Sequence, residues 1–449
     1  MIMSEKNKAL MTRNIRVFLV ISILLYWQIY ENVIFLYPEY YFGKVFSIFV
    51  YTYKLIFPFI LFTYSLLLGY PRKRPYFIDG FLLIFVFFLI WALFPTVISG
   101  DLISWTKLIP LFFFSIALIH LLNKYPVLIR SLAKGIITLS IISLIQYAAI
   151  HLTGDYTSLE PGSKKLTGPF GLFGVTHGNF YLPGLESPIV RLTGFWKEPS
   201  NAAGINFASF FLCRFLHKEE LKTKWRYLSY LCLFAGFLTL SNAGYLAIGG
   251  AFFVGNILRF HLQSVRTKVI SVVFITPVIL LLLWLALFSR SYFSQNQVEN
   301  NFLLAISGVR VNSYDDPNYD PTSGRLELLE NTLDGNIETL IGKGVQQVGD
   351  NTKLIVSASA PFFWLTLTGY IGFILLLFRE LFVWLSFLRF RKYEKKYIFL
   401  VQAYLVILLQ QSVYGVWMDA NYLIFNGFVF SIIYLKSMKG LQAAHSVSK

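Results

Sequence analysis

Charge is scarce in this chain. Only 14% of its 449 residues are Asp, Glu, Lys or Arg, against about 25% in an ordinary soluble domain, a balance that signals a polytopic membrane protein. Cysteine is scarcer still. Cys213 and Cys232 alone make neither a disulfide framework nor a metal cluster. The six histidines, at 120, 151, 177, 217, 261 and 445, show no metal-ligand spacing. Period-2 alternation of the outer-membrane barrel type is missing. No internal repeat is visible, which weighs against transporters built from symmetric halves. The first apolar run lacks a small-x-small cleavage site, so it reads as a retained anchor rather than a signal peptide.

What the chain has instead is apolar length. It is 56% hydrophobic with 45 Phe, and its apolar runs approach the roughly 20 helical residues that cross a bilayer core. In hydrocarbon the backbone must satisfy its own hydrogen bonds, so the spans are expected to be helices. About twelve are predicted, near 15–36, 45–69, 76–98, 105–122, 128–152, 199–216, 227–240, 245–260, 269–288, 358–378, 397–416 and 420–436.

The net charge of +16 is distributed by topology. With the N-terminus inside, residues 1–16, 70–75, 123–134, 213–226, 259–268 and the tail from 436 each carry +3, and 379–396 carry +4. Residues 153–198 balance to zero, and 289–356 hold five basic and nine acidic residues, net −4. This is the positive-inside pattern, repeated at each loop. The basic patches face anionic lipid, and no nucleic-acid site is needed.

Five units follow: helices 1–5 over 1–152, a long external loop over 153–198, helices 6–9 over 199–288, a second external loop over 289–357, and helices 10–12 with a cytoplasmic tail over 358–449. Most connections are short, such as SNAG at 241–244. Loops as long as the two external ones are uncommon unless they carry function. In the second, Leu326, Leu329, Leu333, Ile337 and Leu340 are spaced 3, 4, 4 and 3, one apolar face of a surface helix.

The first loop ends in RLTGFWKEPSNAAG, residues 191–204, which gathers Arg191, Lys197 and Glu198 where the sixth span begins. Pro199 suits a helix's first turn, and the N–H groups there favour anions. Arg191 adds a fork that matches phosphate oxygens. A diphosphate seat and a side chain snorkelling to lipid headgroups both fit this spacing. Ser323-Gly324-Arg325 puts a second arginine at the head of the amphipathic helix, where a surface ion pair is the plainer reading. Asp316, Asn318, Asp320 and Glu327 have calcium-loop spacing, but Pro321 occupies the position that needs glycine. His177 lies in the first loop, as either a structural or a supporting group. Glu31, Lys54 and Asp79 lie in or near apolar segments, and Lys54 is placed deepest.

At R-L-T-G-F-W-K-E-P-S the sequence resembles the O-antigen polymerase and ligase superfamily of bacterial envelopes. That family carries R-x-x-G-x-x-x-(E/N)-P-(N/S) at the end of one external loop, here Arg191, Gly194, Glu198, Pro199 and Ser200. It carries S-G-R at the base of another, here Ser323, Gly324 and Arg325, then a G-x-G turn at Gly342 and Gly344 and a G-x-x-G helix within TLTGYIGFILLL, 366–377. Ligases of this group have His-Asn shortly before that helix. VSASAPFFW, 356–364, has no histidine, and the Glu in K-E-P-S also resembles polymerases.

The resemblance implies a glycosyltransferase with an all-α, GT-C-like architecture of about twelve transmembrane helices in the bacterial inner membrane. Both termini would be cytoplasmic and the large loops periplasmic. It implies an undecaprenyl-diphosphate-linked oligosaccharide as substrate, membrane lipid around it, and a chain-length regulator protein as a partner. No cofactor or metal is implied. Arg191, Arg325 and Lys197 would hold the diphosphate, with Gly194 and Gly324 shaping the turns. Glu198 would be the base, unless it is a helix-end carboxylate paired with Lys197. An O-antigen ligase and a lipid-oligosaccharide flippase or transporter are the rival readings.

Overall fold

The structure, a computed structural model, describes residues 13–31, 38–68, 76–99, 106, 108–153, 191–194, 196, 199–259, 340–342, 360–389, 395–413 and 419–447. These form eleven long helices: α1 (Arg13–Glu31), α2 (Pro38–Leu67), α3 (Tyr76–Ser99), α4 (Leu108–Lys124), α5 (Val127–Thr153), α6 (Pro199–Glu220), α7 (Thr223–Leu238), α8 (Asn242–Arg259), α9 (Ala360–Arg389), α10 (Lys395–Val413) and α11 (Ala420–Val447). No strand occurs among the described residues. The expected ninth span, 269–288, and the amphipathic helix up to residue 339 lie outside the described residues.

Four stretches are long and apolar enough to cross a membrane: Gly43–Leu67, Gly80–Ile98, Val127–Ala149 and Trp364–Phe387. This suggests a multi-pass membrane protein. The surface agrees, because large apolar side chains face outward along helix flanks: Val45, Ile48 and Phe49 on α2, Leu83, Phe87 and Ile90 on α3, Ile374 and Phe378 on α9. A water-soluble monomer rarely exposes such continuous apolar surface. Hydroxyl groups inside these helices bond back to their own turn, as Ser65 does to the Phe62 carbonyl (2.7 Å), Thr96 to Ala92 (2.7 Å) and Thr368 to Trp364 (2.7 Å). That removes the cost of an unpaired donor in an apolar setting.

The bundle is organised around α6, which packs against α5, α7, α8 and α10. From Pro199 to Leu216 every α6 residue except Arg214 is buried. Small residues let the neighbours close in: Ala203 meets Gly244 of α8, and Phe207 meets Gly236 of α7. Ser209 and Ser140 share a hydrogen bond between α6 and α5 (2.8 Å). Cys213 of α6 contacts Cys232 of α7, both as free buried thiols.

The described contacts of the bundle sort into two ends. One holds residues 191–194 and Trp196, the heads of α6, α8 and α11 and the tails of α5, α7 and α10. At the other, Lys134 of α5 pairs with Glu220 of α6 (2.5 Å), and Glu219 meets Lys396 of α10 (2.8 Å) and Arg130 (3.9 Å).

Candidate functional site

Residues 191–194 and Trp196 lie across the head of the bundle, and Arg191 and Leu192 are hydrogen-bonded to it. The Arg191 guanidinium donates from Nε to the Thr239 carbonyl (2.8 Å) and from Nη2 to the Leu240 carbonyl (3.1 Å). Those carbonyls end α7, and Leu240 has a left-handed φ of 46°. A cation at a helix C-terminus meets the negative end of its dipole and satisfies carbonyls that have no helical donor. The next residue repeats the attachment, with Leu192 N–H donating to the Leu238 carbonyl (3.1 Å). Arg191 thus seals the α7–α8 corner, a role the sequence reading did not contain. The SNAG segment is only partly that corner: Ser241 precedes α8 and accepts from the Gly244 N–H (3.4 Å), while 242–244 form the helix's first turn.

A tight turn follows. Trp196 N–H donates to the Thr193 carbonyl (3.2 Å), and Gly194 supplies a φ of 61° at the turn's second position. A Cβ there would run into Ser143 of α5, including its Cα at 3.0 Å. The motif glycine is therefore fixed by both backbone and space. Trp196 then packs at a tilt on Trp27 of α1 (centroids 5.0 Å apart, rings inclined by 36°), and Trp27 donates to the Asn421 side chain at the head of α11. Pro199 opens α6 as the spacing indicated. One turn in, Asn201 accepts from Gln410 of α10 (3.2 Å).

Of the site residues expected from sequence, Arg191 and Gly194 are within this arrangement. Lys197, Glu198, His177, Gly324 and Arg325 lie outside the described residues, as does the calcium-like stretch 316–327. The structure does bring two other motifs together. Gly342 (φ 96°) and Gly369 (φ 64°) meet backbone to backbone: a Cβ on Gly342 would sit 2.5 Å from the Gly369 nitrogen. Gly369 interrupts α9 with non-helical dihedrals, and the Trp91 indole donates to the neighbouring Thr368 carbonyl (2.8 Å). Residues 340–342 of the second long loop are thereby seated against the break of α9.

Lys54 is half-buried on α2, its ammonium 5.1 Å from the Tyr30 ring and 5.7 Å from the Tyr51 ring, a cation resting on aromatic faces. Glu31 ends α1 and Asp79 lies in α3; their side chains are outside the described ones. No cluster that could hold a metal ion occurs among the described residues.

The largest departure from the sequence reading is Arg379–Glu380. The sequence pattern places their charges in a basic inside segment, with the span ending at 378. Instead α9 runs on to Arg389, and both side chains are buried, Arg379 at 0% and Glu380 at 7% exposure. Arg379 donates from Nε (3.2 Å) and Nη2 (2.7 Å) to Glu380 Oε1. Tyr404 of α10 and Tyr422 of α11 each donate a phenol hydrogen to the same carboxylate, and Asn426 donates to the Tyr422 oxygen (3.0 Å). The guanidinium lies over Tyr422 (4.8 Å), Phe85 (5.5 Å) and Phe81 (5.8 Å). The signal was present: LFVWLSFL follows RE, so apolar sequence flanks the two charges on both sides.

At the opposite end, burial pushes the Glu220 carboxyl up. The hydrogen bonds from Lys134 and Trp225 and the Lys134 and Lys222 charges outweigh it, and hold the group below the ordinary carboxylate value. No known protein family, curated protein or solved structure matches the chain.

Proposed function

We propose that this protein is a membrane glycosyltransferase of the O-antigen polymerase type, moving a polyprenyl-diphosphate-linked glycan onto the terminal sugar of a second lipid-linked repeat. The observation that carries the reading is that the described residues of R-x-x-G-x-x-x-E-P, namely 191–194, Trp196 and Pro199, lie together at the head of a buried helix. Arg191 is clamped, Gly194 stands where only glycine fits, and Pro199 opens α6. The Gly342–Gly369 contact gives the Arg325-bearing loop a fixed attachment as well.

In this reading the motif end faces the periplasm and the Lys134–Glu220 end the cytoplasm, as the basic inside segments favour. The acceptor hydroxyl attacks the anomeric carbon, and the anomeric C–O bond breaks. Its electron pair leaves on the polyprenyl diphosphate, whose charge Arg191, Arg325 and Lys197 neutralise. Glu198 takes the hydroxyl proton. One such preorganised donor is worth about 3–4 kcal/mol in a dry site.

The test is purified protein in lipid nanodiscs incubated with lipid-linked repeat units. A ladder of polymer supports the reading, and it should vanish in Glu198→Gln and Arg325→Lys. Arg191→Lys should also lose it, with a thermal melt separating lost chemistry from a lost α7 cap. Full-length polymer from Glu198→Gln removes that residue as base.

A second reading, a lipid-oligosaccharide flippase, is favoured by one observation: an ion pair buried within a membrane-length helix, a setting common to transport sites. Reconstituted translocation without any ladder would select it.

A further inference from the structure

The Arg379–Glu380 centre lies on α9, α10 and α11 with α3 at its flank, and the transfer chemistry above makes no use of it. Its bonding is lopsided. Glu380 is saturated, accepting two bonds from Arg379 and one from each of two phenols. Arg379 is not: Nη1 is fully buried and has no hydrogen-bond partner. Asn426 repeats the pattern, since its Nδ2 is committed to Tyr422 while Oδ1 is buried and unpartnered. Buried cationic donors are ordinarily satisfied, and those that are not point to water, an ion or a function.

Electroneutrality limits what could join them. As it stands the centre sums to zero, +1 from Arg379 and −1 from Glu380. An added anion would leave an uncompensated charge inside the apolar bundle, which is strongly disfavoured. If Glu380 takes up one proton, the same anion restores zero. Every titratable or charged group facing Glu380 among the described residues is then accounted for: Arg379 on its own helix, Tyr404 on α10 and Tyr422 on α11, while α3 presents Phe81 and Phe85. The burial of all these side chains restricts the anion to a small one.

We propose that this centre binds one small monovalent anion on the Arg379 guanidinium together with one proton on Glu380. The proton comes from solvent and leaves the carboxyl neutral, still joined to the phenols. Nη1 supplies the open donor, and the ring faces of Phe81, Phe85 and Tyr422 keep the guanidinium in place.

The experiment uses the full chain in nanodiscs, with chloride and formate as probes and gluconate holding the ionic strength. Binding is followed by thermal melting between pH 5 and pH 8. One proton per anion requires the dissociation constant to rise tenfold per pH unit over the range in which Glu380 is ionised. Glu380→Gln keeps the carboxamide oxygen for the phenols and mimics the neutral acid, so it should bind the anion at every pH. Arg379→Met combined with Glu380→Gln is a neutral pair that keeps those acceptors, and it should bind none. The proposal is overturned if the wild type takes neither probe, if binding is flat across pH, or if Glu380→Gln retains the wild-type pH slope. Glycan transfer is read in a separate assay, so failure here leaves that reading as it was.

Discussion

Removing Arg379 alone should be one of the most damaging single changes in the bundle. Arg379→Met deletes both hydrogen bonds to Glu380 and leaves its carboxylate buried against two phenols with no counter-charge. Breaking a buried pair from one side costs about 3–5 kcal/mol, and Glu380→Leu should cost a similar amount by stranding the guanidinium. Deleting both charges together should be far milder. What remains is the loss of the acceptor for Tyr404 and Tyr422. Their oxygens are 3.3 Å apart, so one phenol can accept from the other and about one hydroxyl is left short. That leaves about 1–3 kcal/mol for Arg379→Met with Glu380→Leu, against about 6–10 kcal/mol for the two single changes added together. Adding Tyr404→Phe should recover most of the remainder. The assay is unfolding of the purified chain in mixed micelles with rising SDS, followed by tryptophan fluorescence and analysed as a double-mutant cycle. Single changes costing under about 1 kcal/mol, the range of solvated pairs, would refute the buried pair. An additive double variant would refute the coupling.

Gly369→Ala should prevent a stable fold or expel residues 340–342 from α9, because the new Cβ meets the Leu340 carbonyl region rather than a movable side chain; protease sensitivity near residue 342 reports it. Gly194→Ala should cost about 1–2 kcal/mol for the left-handed backbone and a further 1–3 kcal/mol, roughly, for the overlap with Ser143. Ser143→Gly in the same chain should relieve the second part only, as read by thermal melting. At the other end, the folded-state value of Glu220 is depressed, so its stabilisation is present above the ordinary carboxylate value and lost as pH falls through the folded one. Glu220→Gln should therefore melt lower than wild type at pH 7 and converge with it in acid.

The described helices were legible because apolar residues collect in long runs and charge collects between them. The same rule misplaced the end of α9. Two opposite charges that pair inside the bundle look, one residue at a time, like the start of a loop. Gly194 and Gly342 stood out in the sequence as turn glycines and adopt backbone angles that other residues resist, whereas Gly369, read as part of a continuous helix, breaks α9 with such an angle. What the spacing of RLTGFWKEPS could not convey is the partner of its arginine. The acceptors are carbonyls of 239 and 240, nearly fifty residues downstream, and only the packing of α6 against α7 brings them to Arg191.

Three buried or half-buried cations show how an apolar chain with a charge of +16 tolerates them. Arg191 meets the carbonyl end of a helix, Lys54 the faces of two tyrosines, and Arg379 a carboxylate inside an aromatic box. Dipole, quadrupole and counter-charge are three ways of supplying negative potential without water. They differ in how readily they release the cation. Carbonyls and rings carry no proton at accessible pH and hold their charge constant, so Arg191 and Lys54 keep fixed surroundings. A carboxylate can be neutralised by a single proton. Of the three, Arg379 is the one whose compensation can be switched off by a proton, and for that reason proton-coupled anion binding is expected there and not at the α7–α8 corner. Melting curves of Arg191→Lys and Lys54→Met should accordingly keep the wild-type dependence on pH, with and without added chloride, while Glu380→Gln should lose only the part of it that chloride brings.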